Sequence, residues 1–333
     1  MDSQLDTPAD LPAGLPAFLA DAGWADARIV PLAGDASFRR YFRLHRGDET
    51  AMLMDAPPPR EDVRPFLAVA EWLAWHDLRA PVIHAADPGQ GLVLLEDFGH
   101  RRMRDHLDTA PQDENEIYAG AIDALVRIRG LSAGPWQPYD MAVYLREARL
   151  FVEWYAPAAG LTVDAEGWDA AWATALAPLV ARQTTPVTVL RDYHAENIML
   201  LDGGAQGLLD FQDALAGHAA YDLVSLLQDA RRDVAPALEA AMLDRYIAAT
   251  GVDGETFRAD YALLGAQRNA KIVGIFVRLA RRDGKPRYLS LIPRVWAHLE
   301  QDLAHPALAP VAAWFAAHIP AELRAAHGGD LTA

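Results

Sequence analysis

The chain has 333 residues, 52% of them hydrophobic, and its 46 acidic and 30 basic residues give a formal net charge of −16. This length and apolar content suffice for one large domain or two smaller lobes, and they exclude a disordered chain. The acidic balance argues against a nucleic-acid partner, which would need a basic surface, but not against ATP, which needs only local positive groups and a metal.

Several other classes of protein are excluded by residue types. Cysteine is absent, so disulfides and thiolate metal sites are impossible, and the 11 histidines lack the spacing of a zinc motif. The N-terminal region is acidic and proline-rich without the pattern of a signal peptide, and no apolar run reaches the roughly 18 residues of a membrane span. We therefore expect a cytoplasmic protein without a membrane partner.

The N-terminal part of the chain contains short strand patterns and two helical patterns. Apolar residues recur at helical spacing from Phe66 to Ala74, which predicts an amphipathic helix there. In chain order, we expect a helix over 11–23, strands over 27–33, 38–45 and 51–54, a helix over 64–76, and strands over 81–85 and 92–95.

After about residue 100 the pattern becomes helical, and alanine and leucine dominate the composition. We expect helices over 112–130, 139–155 and 164–182, then an interruption, and further helices from 219 to 318. A small β-rich part followed by a larger helical part predicts an α+β fold with two lobes.

The interruption carries the chemistry. A β-branched run ends at Asp192, Asn197 follows, and a second apolar run ends at Asp210 after a predicted hairpin turn at 202–204. Phosphoryl transfer needs a carboxylate for the acceptor's hydroxyl proton, plus an amide oxygen and a second carboxylate for Mg²⁺. An Asp-x4-Asn pair alone arises by chance in a chain this rich in Asp, so the prediction depends on the strand context of both acids.

These segments resemble the aminoglycoside-phosphotransferase-like branch of the protein-kinase-like fold. Within it, they are most similar to the bacterial kinases that phosphorylate the anomeric hydroxyl of N-acetylmuramate and N-acetylglucosamine. The resemblance implies a small antiparallel nucleotide-binding β lobe over 1–97 and a helical lobe over 98–333 with the catalytic loop and sugar site. The segments that carry it are GDASFRRYFR at 34–43, MDAPP at 54–58, LRDYHAEN at 190–197 and GIFVRLARRDGKP at 274–286.

The same resemblance assigns roles in the nucleotide lobe. Gly34 and Ser37 would lie in a turn over the phosphates, and Glu96 and Phe98 in a hinge whose backbone pairs with the adenine edge. A plain hairpin turn and an ordinary strand end are the alternatives for these two segments.

The lysine that kinases place on the third strand is missing, because Met54 stands at the equivalent position. The nearest cations are on the second strand, where alternation puts Arg39 and Arg43 on one face with Tyr41, and Arg40 on the other. We slightly favour Arg43 as the replacement.

Two positions near the catalytic loop depart from the family pattern. Leu190 stands where the family has a bracing histidine, so apolar packing would replace its hydrogen bonds. Asp222 is expected to cap the following helix and tie it to the catalytic loop.

The acceptor site is less defined in the sequence. A basic cluster falls on one predicted helix and comprises Arg268, Lys271, Arg278, Arg281 and Arg282. It could bind an anionic acceptor such as a lactyl carboxylate, or it could be a solvated face. Glu153 and Tyr155 offer an alternative site that stacks on a sugar and binds its hydroxyls.

His194, next to the catalytic acid, could also reach the substrate, although a solvated loop residue is the simpler interpretation. The sequence therefore predicts an ATP- and Mg²⁺-dependent kinase that acts on a sugar hydroxyl. The resemblance implies that its product is a sugar 1-phosphate of peptidoglycan recycling. The alternatives are an aminoglycoside or amino-alcohol phosphotransferase and, since the lysine is missing, a nucleotide-binding pseudokinase. Asp192, Asn197 and Asp210 argue against the pseudokinase, which would not need all three.

Overall fold

The computed structural model describes residues 11–12, 14–32 and 38–331. The predicted Gly34 and Ser37 turn lies outside these residues. The strands are β1 (Arg28–Pro31), β2 (Arg40–Arg46), β3 (Glu49–Asp55), β4 (Ile83–Asp87), β5 (Leu92–Glu96), β6 (Val187–Val189), β7 (Ile198–Leu200), β8 (Gln206–Leu208) and β9 (Leu215–Gly217).

Helices make up most of the rest of the chain. They are α1 (Leu15–Asp21), α2 (Arg64–Trp75), α3 (Met103–Thr109), α4 (Glu114–Arg129), α5 (Met141–Leu150), α6 (Ala156–Ala158), α7 (Ala165–Arg182), α8 (Ala220–Leu227), α9 (Pro236–Thr250), α10 (Gly254–Arg281), α11 (Ile292–Leu303), α12 (Ala309–His318) and α13 (Ala321–Ala325). The predicted α+β fold is confirmed. Among the described residues, no helix is long and apolar enough to cross a membrane.

The chain divides into two compact units. The first comprises the described residues up to Arg102 together with Ile198–Asp213, and the second comprises Met103–Asn197 together with the described residues from Ala214 onward. The predicted boundary between the lobes, at residue 97, lies slightly before Arg102, the residue at which the first segment of the first unit ends. The prediction also gave the β7–β8 hairpin to the helical lobe, whereas its residues pack with the sheet unit.

In the first unit, β1 to β5 form one antiparallel sheet in the order β1-β2-β3-β5-β4. Alternate residues of β2 point to opposite faces, so Phe42 and Leu44 enter an apolar core with Leu53 and Leu94, and α1 covers this core through Leu15 and its neighbours. Tyr41 pairs with Met54 across β2 and β3. The alternation predicted for the second strand is therefore present.

Helix α2 and the β7–β8 hairpin complete the first unit. The buried side of α2 contains Phe66, Val69, Ala70 and Leu73, a stripe that overlaps the predicted one but is rotated slightly. The Phe66 ring stacks on Phe211 at 5.0 Å between centroids, which ties α2 to the residues after β8.

The predicted turn between β7 and β8 is also confirmed. The two strands pair antiparallel, and the Leu201 amide donates to the Ala205 carbonyl at 2.8 Å. Gly203 and Gly204 both have positive φ, 74° and 82°, a conformation that glycine adopts without steric cost. This tight turn places Asp210 shortly after the end of β8.

The second unit is built around α10, which packs against α5, α8 and α11. Its middle approaches the end of α5 so closely that a Cβ at Gly274 would overlap the Leu150 backbone. Immediately after α5 the chain forms a π-helical turn, Phe151–Tyr155, where the sequence predicted a continuous helix. This turn sets the positions of Glu153 and Tyr155.

Candidate active site

The segment after β6 forms a compact loop around Asp192. The Asp192 amide donates to the Leu190 carbonyl at 2.9 Å, the His194 amide donates to the Asp192 carbonyl at 3.1 Å, and the Asn197 amide donates to the His194 carbonyl at 2.9 Å. These successive turns leave the Asp192 side chain half-buried. A loop of this kind can present a carboxylate to a substrate while its backbone stays fixed.

The amide of Asn197 is oriented by two acceptors in the same loop. Its Nδ2 donates to the Asp192 carbonyl oxygen at 2.9 Å and lies 3.4 Å from His194 Nε2. Burial lowers the pKa of His194 to about 3, so the ring is neutral. Its Nε2 accepts, because the groups that face it, Asn197 Nδ2 and Arg231 Nη1, are N–H donors. With the Asn197 nitrogen used in this way, its Oδ1 is the atom left to bind a cation.

For His194 the sequence left open a substrate contact, with a solvated loop residue as the simpler interpretation. Its ring is buried, and its Nε2 lies 3.5 Å from Arg231 Nη1 in addition to facing Asn197. A direct substrate contact would require the ring to leave this position. In the structure it is a positioning residue for Asn197.

Asp222 holds the backbone at the start of the catalytic loop. Its two carboxylate oxygens accept from the amides of Leu190 and Arg191, at 2.7 and 2.8 Å. Burial raises the pKa of Asp222 to about 7, although the hydrogen bonds from these two N–H groups act in the opposite direction and lower it. The predicted tie to the loop is confirmed, but the predicted cap is wrong, because Asp222 lies inside α8 and Ala219 is at the N-cap without a side-chain bond.

Arg191 needs this bracing because its φ of 72° is unusual for a non-glycine residue. The Ser225 hydroxyl donates to the Arg191 carbonyl at 3.1 Å, and the Arg191 guanidinium forms an ion pair with Glu147. Leu190 is buried, as expected, but side-chain hydrogen bonds from α8 supply the bracing that we had assigned to apolar packing alone.

Glu147 also binds Lys271, one of the residues predicted to bind the acceptor. Lys271 Nζ lies 3.1 Å from Glu147 Oε2 and donates to the Tyr221 hydroxyl at 3.1 Å. Burial alone would raise the pKa of Glu147, but Lys271 and Arg191 hold it below its ordinary value. The charge of Lys271 is therefore used to hold Glu147, and through it Arg191.

The rest of the predicted basic cluster is divided among different environments. Arg268 is buried and donates to Ser225 Oγ at 2.8 Å, whereas Arg282 is exposed and pairs with the neighbouring Asp283. Arg278 is half-buried; among the described residues its Nε has no hydrogen-bond partner, and burial and then Arg282 lower its pKa. Arg278 is thus the predicted acceptor residue best placed to receive an anion, and the cluster is not one open basic face.

The alternative acceptor residues lie in the π-helical turn. Tyr155 is fully buried, and its hydroxyl donates to the Gly328 carbonyl at 3.0 Å, so a sugar contact would require it to leave the core. Glu153 is exposed, and its negative charge acts to raise the pKa of Arg278. The two residues therefore do not form the stacking pair that the sequence suggested.

Asp210 belongs to the first unit. It has a φ of 56°, and its side chain is 51% exposed. Its Oδ1 accepts from Gln212 Nε2 at 2.8 Å and lies 3.8 Å from Arg39 Nη1. An accessible carboxylate here is an oxygen donor of the type that Mg²⁺ prefers, and so is Asn197 Oδ1 in the second unit, for which the described residues show no hydrogen-bond partner.

These two donors alone do not make a complete metal site. Among the described residues, no group of three or more His, Cys, Asp and Glu side chains could hold a metal ion. Mg²⁺ in nucleotide enzymes is bound by one or two protein oxygens together with phosphates and water. Each of these two oxygen donors, taken within its own unit, is of the type that can bind an ion arriving with a nucleotide.

The candidates for the missing lysine differ in their surroundings. Met54 is buried on β3, and the Tyr41 hydroxyl lies 3.4 Å from its Sδ. Arg43, the favoured replacement, is buried, and its Nη2 donates to Asp97 Oδ1 and to the Gly99 carbonyl, both at 3.0 Å. Arg43 therefore holds the segment after β5, and a phosphate contact would require it to leave both partners.

The predicted hinge connects the sheet to the β7–β8 hairpin. Glu96 accepts from Arg79 Nη1 at 2.8 Å, and its amide donates to the Val82 carbonyl at 2.8 Å. The Phe98 ring lies so close to Gly207 that a Cβ there would overlap it. Because the Glu96 amide already donates to Val82, other backbone groups of this segment would have to make any contact with adenine.

The chain matches the family described as phosphotransferase enzyme family over residues 28–264. The chain belongs to this phosphotransferase family. One relative, the N-acetylmuramate/N-acetylglucosamine kinase of Caulobacter vibrioides, is 41% identical over 92% of this chain and 96% of its own. The enzyme of the same name from Pseudomonas aeruginosa is 40% identical over 86% of this chain and 88% of its own.

Solved structures agree on the fold of this family member. A choline/ethanolamine kinase family protein from Mesorhizobium loti superposes with a TM-score of 0.64 at 15% identity, covering 91% of this chain and 96% of that chain. An ADP-bound aminoglycoside phosphotransferase gives a TM-score of 0.60 at 14% identity, covering 87% and 97%. At such identities the likeness shows the fold alone.

Sequence reasoning missed two acids near the predicted cations. Glu147 lies with Tyr144 and Ala148 on the buried side of α5, and a single acid on an apolar helical stripe is a signal that could have found it. Glu61, whose Oε2 lies 3.3 Å from Arg39 Nε, precedes α2 and carries no sequence signal.

We predict that Asp222→Asn weakens both the fold and the catalytic loop. Asn offers one acceptor oxygen for two backbone amides and turns an N–H₂ group toward the other, so the free energy of unfolding should fall by about 1–3 kcal/mol. Denaturant unfolding measures this loss. The exposed Asp108→Asn on α3 is the control. Equal stability of the two variants would show that the loop does not depend on Asp222.

Proposed function

We propose that this phosphotransferase transfers the γ-phosphate of ATP, with Mg²⁺, to the anomeric hydroxyl of N-acetylmuramate and N-acetylglucosamine. The observation that carries the proposal is 41% identity to a kinase named for these two sugars, over 92% of the chain. The products would be the sugar 1-phosphates of peptidoglycan recycling. We place the reaction in the cytoplasm, where ATP is available.

Asp192 is proposed as the residue that receives the proton. As the anomeric oxygen bonds to the γ-phosphorus and the bond to the leaving ADP breaks, Asp192 would accept the hydroxyl proton. An anomeric hydroxyl is more acidic than an ordinary alcohol, so a well-positioned carboxylate is sufficient to accept its proton. The fixed turns around Asp192 support this role, because positioning does most of the work in such a transfer.

Asn197 Oδ1 and the Asp210 carboxylate are proposed to hold Mg²⁺. When bound, the ion would neutralise charge on the phosphates and orient them. The support comes from the two acceptors that turn the Asn197 nitrogen away and from the exposure of Asp210.

Arg278 is proposed to bind the lactyl carboxylate of N-acetylmuramate. Lys271 and Arg268, which we expected to share this role, already have partners in Glu147 and Ser225. Arg278 is half-buried, so an ion pair with a carboxylate would be less screened there than at an exposed site.

The identity of the product tests the reaction. Incubation with ATP and each sugar should release ADP, and phosphorus NMR should show an acid-labile 1-phosphate. A 6-phosphate, or no turnover of either sugar, would refute the anomeric assignment. Turnover of aminoglycosides or amino alcohols instead would favour the second enzyme hypothesis, and nucleotide binding without turnover of any acceptor would indicate a pseudokinase.

The role of Asp192 is tested by Asp192→Asn. We expect kcat to fall by about 10²- to 10⁴-fold, because no base receives the proton, while nucleotide binding stays close to that of the unchanged protein. The control is Asp202→Asn, which changes a fully exposed acid in the hairpin turn. Unchanged turnover in Asp192→Asn would move the base elsewhere.

The role of Arg278 is tested by comparing the two sugars. Arg278→Ala should lower kcat/KM for N-acetylmuramate by roughly 10- to 100-fold, the range of a hydrogen bond to a charged group, with less effect on N-acetylglucosamine, which has no carboxylate. Arg282→Ala, which removes an exposed cation just after the end of α10, serves as the control. Parallel losses on both sugars would remove Arg278 from the carboxylate site.

A further inference from the structure

The first unit contains an arginine held between two acids. Arg39 immediately precedes β2, and its Nε lies 3.3 Å from Glu61 Oε2 while its Nη1 lies 3.8 Å from Asp210 Oδ1. The Arg39 side chain is 13% exposed and that of Glu61 16%. This is therefore a largely buried guanidinium with a defined orientation, unlike a mobile surface pair.

Arg39 keeps its charge in this environment. A guanidinium stays protonated in proteins, and the carboxylates of Glu61 and Asp210 lie beside it. A buried cation needs such partners, because an isolated charge away from water is costly. The contacts therefore specify a positive charge at this point of the sheet.

The position of Arg39 relates it to the missing lysine. Tyr41 is two residues further along the chain, lies on the same face as Arg39 by strand alternation, and pairs across the sheet with Met54. The Tyr41 hydroxyl covers the Met54 sulfur at 3.4 Å. The third strand thus presents no cation here, and Arg39 supplies one from the neighbouring strand.

The other two second-strand arginines are directed elsewhere. Arg40 Nε lies 2.7 Å from the buried carboxylate of Asp55, and Arg43 is held by Asp97 and the Gly99 carbonyl. Arg39, in contrast, lies 3.8 Å from Asp210, the proposed metal ligand.

The two acids hold Arg39 differently. The Glu61 oxygen is close to hydrogen-bond distance, whereas the 3.8 Å separation from Asp210 is longer than a hydrogen bond. Glu61 therefore orients the guanidinium, and the Asp210 contact is a loose ion pair. A guanidinium also carries several donors in a fixed fork, so it can keep Glu61 and still bind a further anion.

We propose that Arg39 binds the phosphate groups of the nucleotide in place of the third-strand lysine, with Glu61 as its positioning residue. This inference rests on the proposed function, since it assumes that the chain binds ATP. The ligand class is a nucleoside di- or triphosphate with its divalent ion. In the absence of that ion, Arg39 compensates part of the Asp210 charge.

Nucleotide binding tests the inference without a sugar acceptor. Isothermal titration of the full chain with ADP and MgCl₂ gives one dissociation constant, and competition by adenosine gives the affinity for the same nucleoside without phosphates. Arg39→Ala should raise the Kd for ADP by roughly 10- to 100-fold, the range of a hydrogen bond to a charged group. Its affinity for adenosine should not change.

Two further variants separate the charge from its orientation. Arg39→Lys keeps the charge without the fork and should give an intermediate Kd for ADP. Glu61→Gln should raise the Kd by less than Arg39→Ala, because it loosens the guanidinium without removing it. Arg64→Ala removes an exposed arginine close to Glu61 in the chain, whose partner is the surface acid Asp62, and should leave the Kd unchanged.

Different outcomes overturn different statements. Unchanged ADP binding by Arg39→Ala would overturn the inference, and so would a parallel loss of ADP and adenosine binding, which would mark Arg39 as a structural residue. ADP binding that depends on Arg39 in a protein that phosphorylates neither sugar would uphold the inference and refute the proposed acceptors. If the protein without any substitution bound no ADP, both the inference and the proposed function would be overturned.

Discussion

The catalytic loop depends on one buried carboxylate. Asp222, inside α8, accepts from the amides of two successive residues, Leu190 and Arg191, just before Asp192. Arg191 has a left-handed φ, a conformation that persists only where the surroundings over-determine it. Ser225, one turn further along the same helix, binds the Arg191 carbonyl. A rigid helix therefore fixes the backbone that carries the proposed base, although no residue of that helix is proposed to touch the substrate.

The same loop shows how a mainly acidic protein uses its cations. Glu147 on α5 receives both Arg191 and Lys271, and Lys271 comes from α10. Three elements of the second unit thus meet at one buried acid beside the loop. A buried charge without partners is costly, so a change to any one of these three side chains would leave the others inadequately paired. We infer that this cluster holds the catalytic loop in position and that other residues bind the ligands.

The sequence predicted the elements much better than the partners of their side chains. The strands of the first unit, the helix over 64–76 and the turn at 202–204 follow from local patterns, since period, turn residues and apolar runs are properties of adjacent positions. The basic group on α10 was expected to form one face, for a ligand or in solvent, whereas Arg268 and Lys271 are paired inside the protein. Helical spacing shows which residues share a side, but not which neighbour covers it, and the covering residues Glu147 and Ser225 are far away in the sequence.

The arrangement of Arg39 was unpredictable for the same reason. Strand alternation could place it on one face with Tyr41 and Arg43, but Glu61 and Asp210 lie in other parts of the chain. Only contacts between distant segments distinguish Arg39 from Arg43, whose charge is held by Asp97. The π-helical turn at 151–155 is a further local departure that a regular apolar period cannot reveal.

The near absence of lysine gives these contacts a common physical basis. Only Lys271 and Lys285 occur, and both lie in the second unit, so no lysine is available for ion pairs in the first. A lysine ammonium is a compact point charge, whereas a guanidinium presents a planar set of donors that can engage two partners in fixed directions. Arg43 uses this property to bind Asp97 and a carbonyl together, and Arg39 to lie between Glu61 and Asp210. Because Glu61 orients Arg39 and Asp210 pairs with it only loosely, Arg39 can supply a positive charge from the edge of the second strand. The third strand can then remain apolar at Met54 without loss of a positive charge on that face of the sheet.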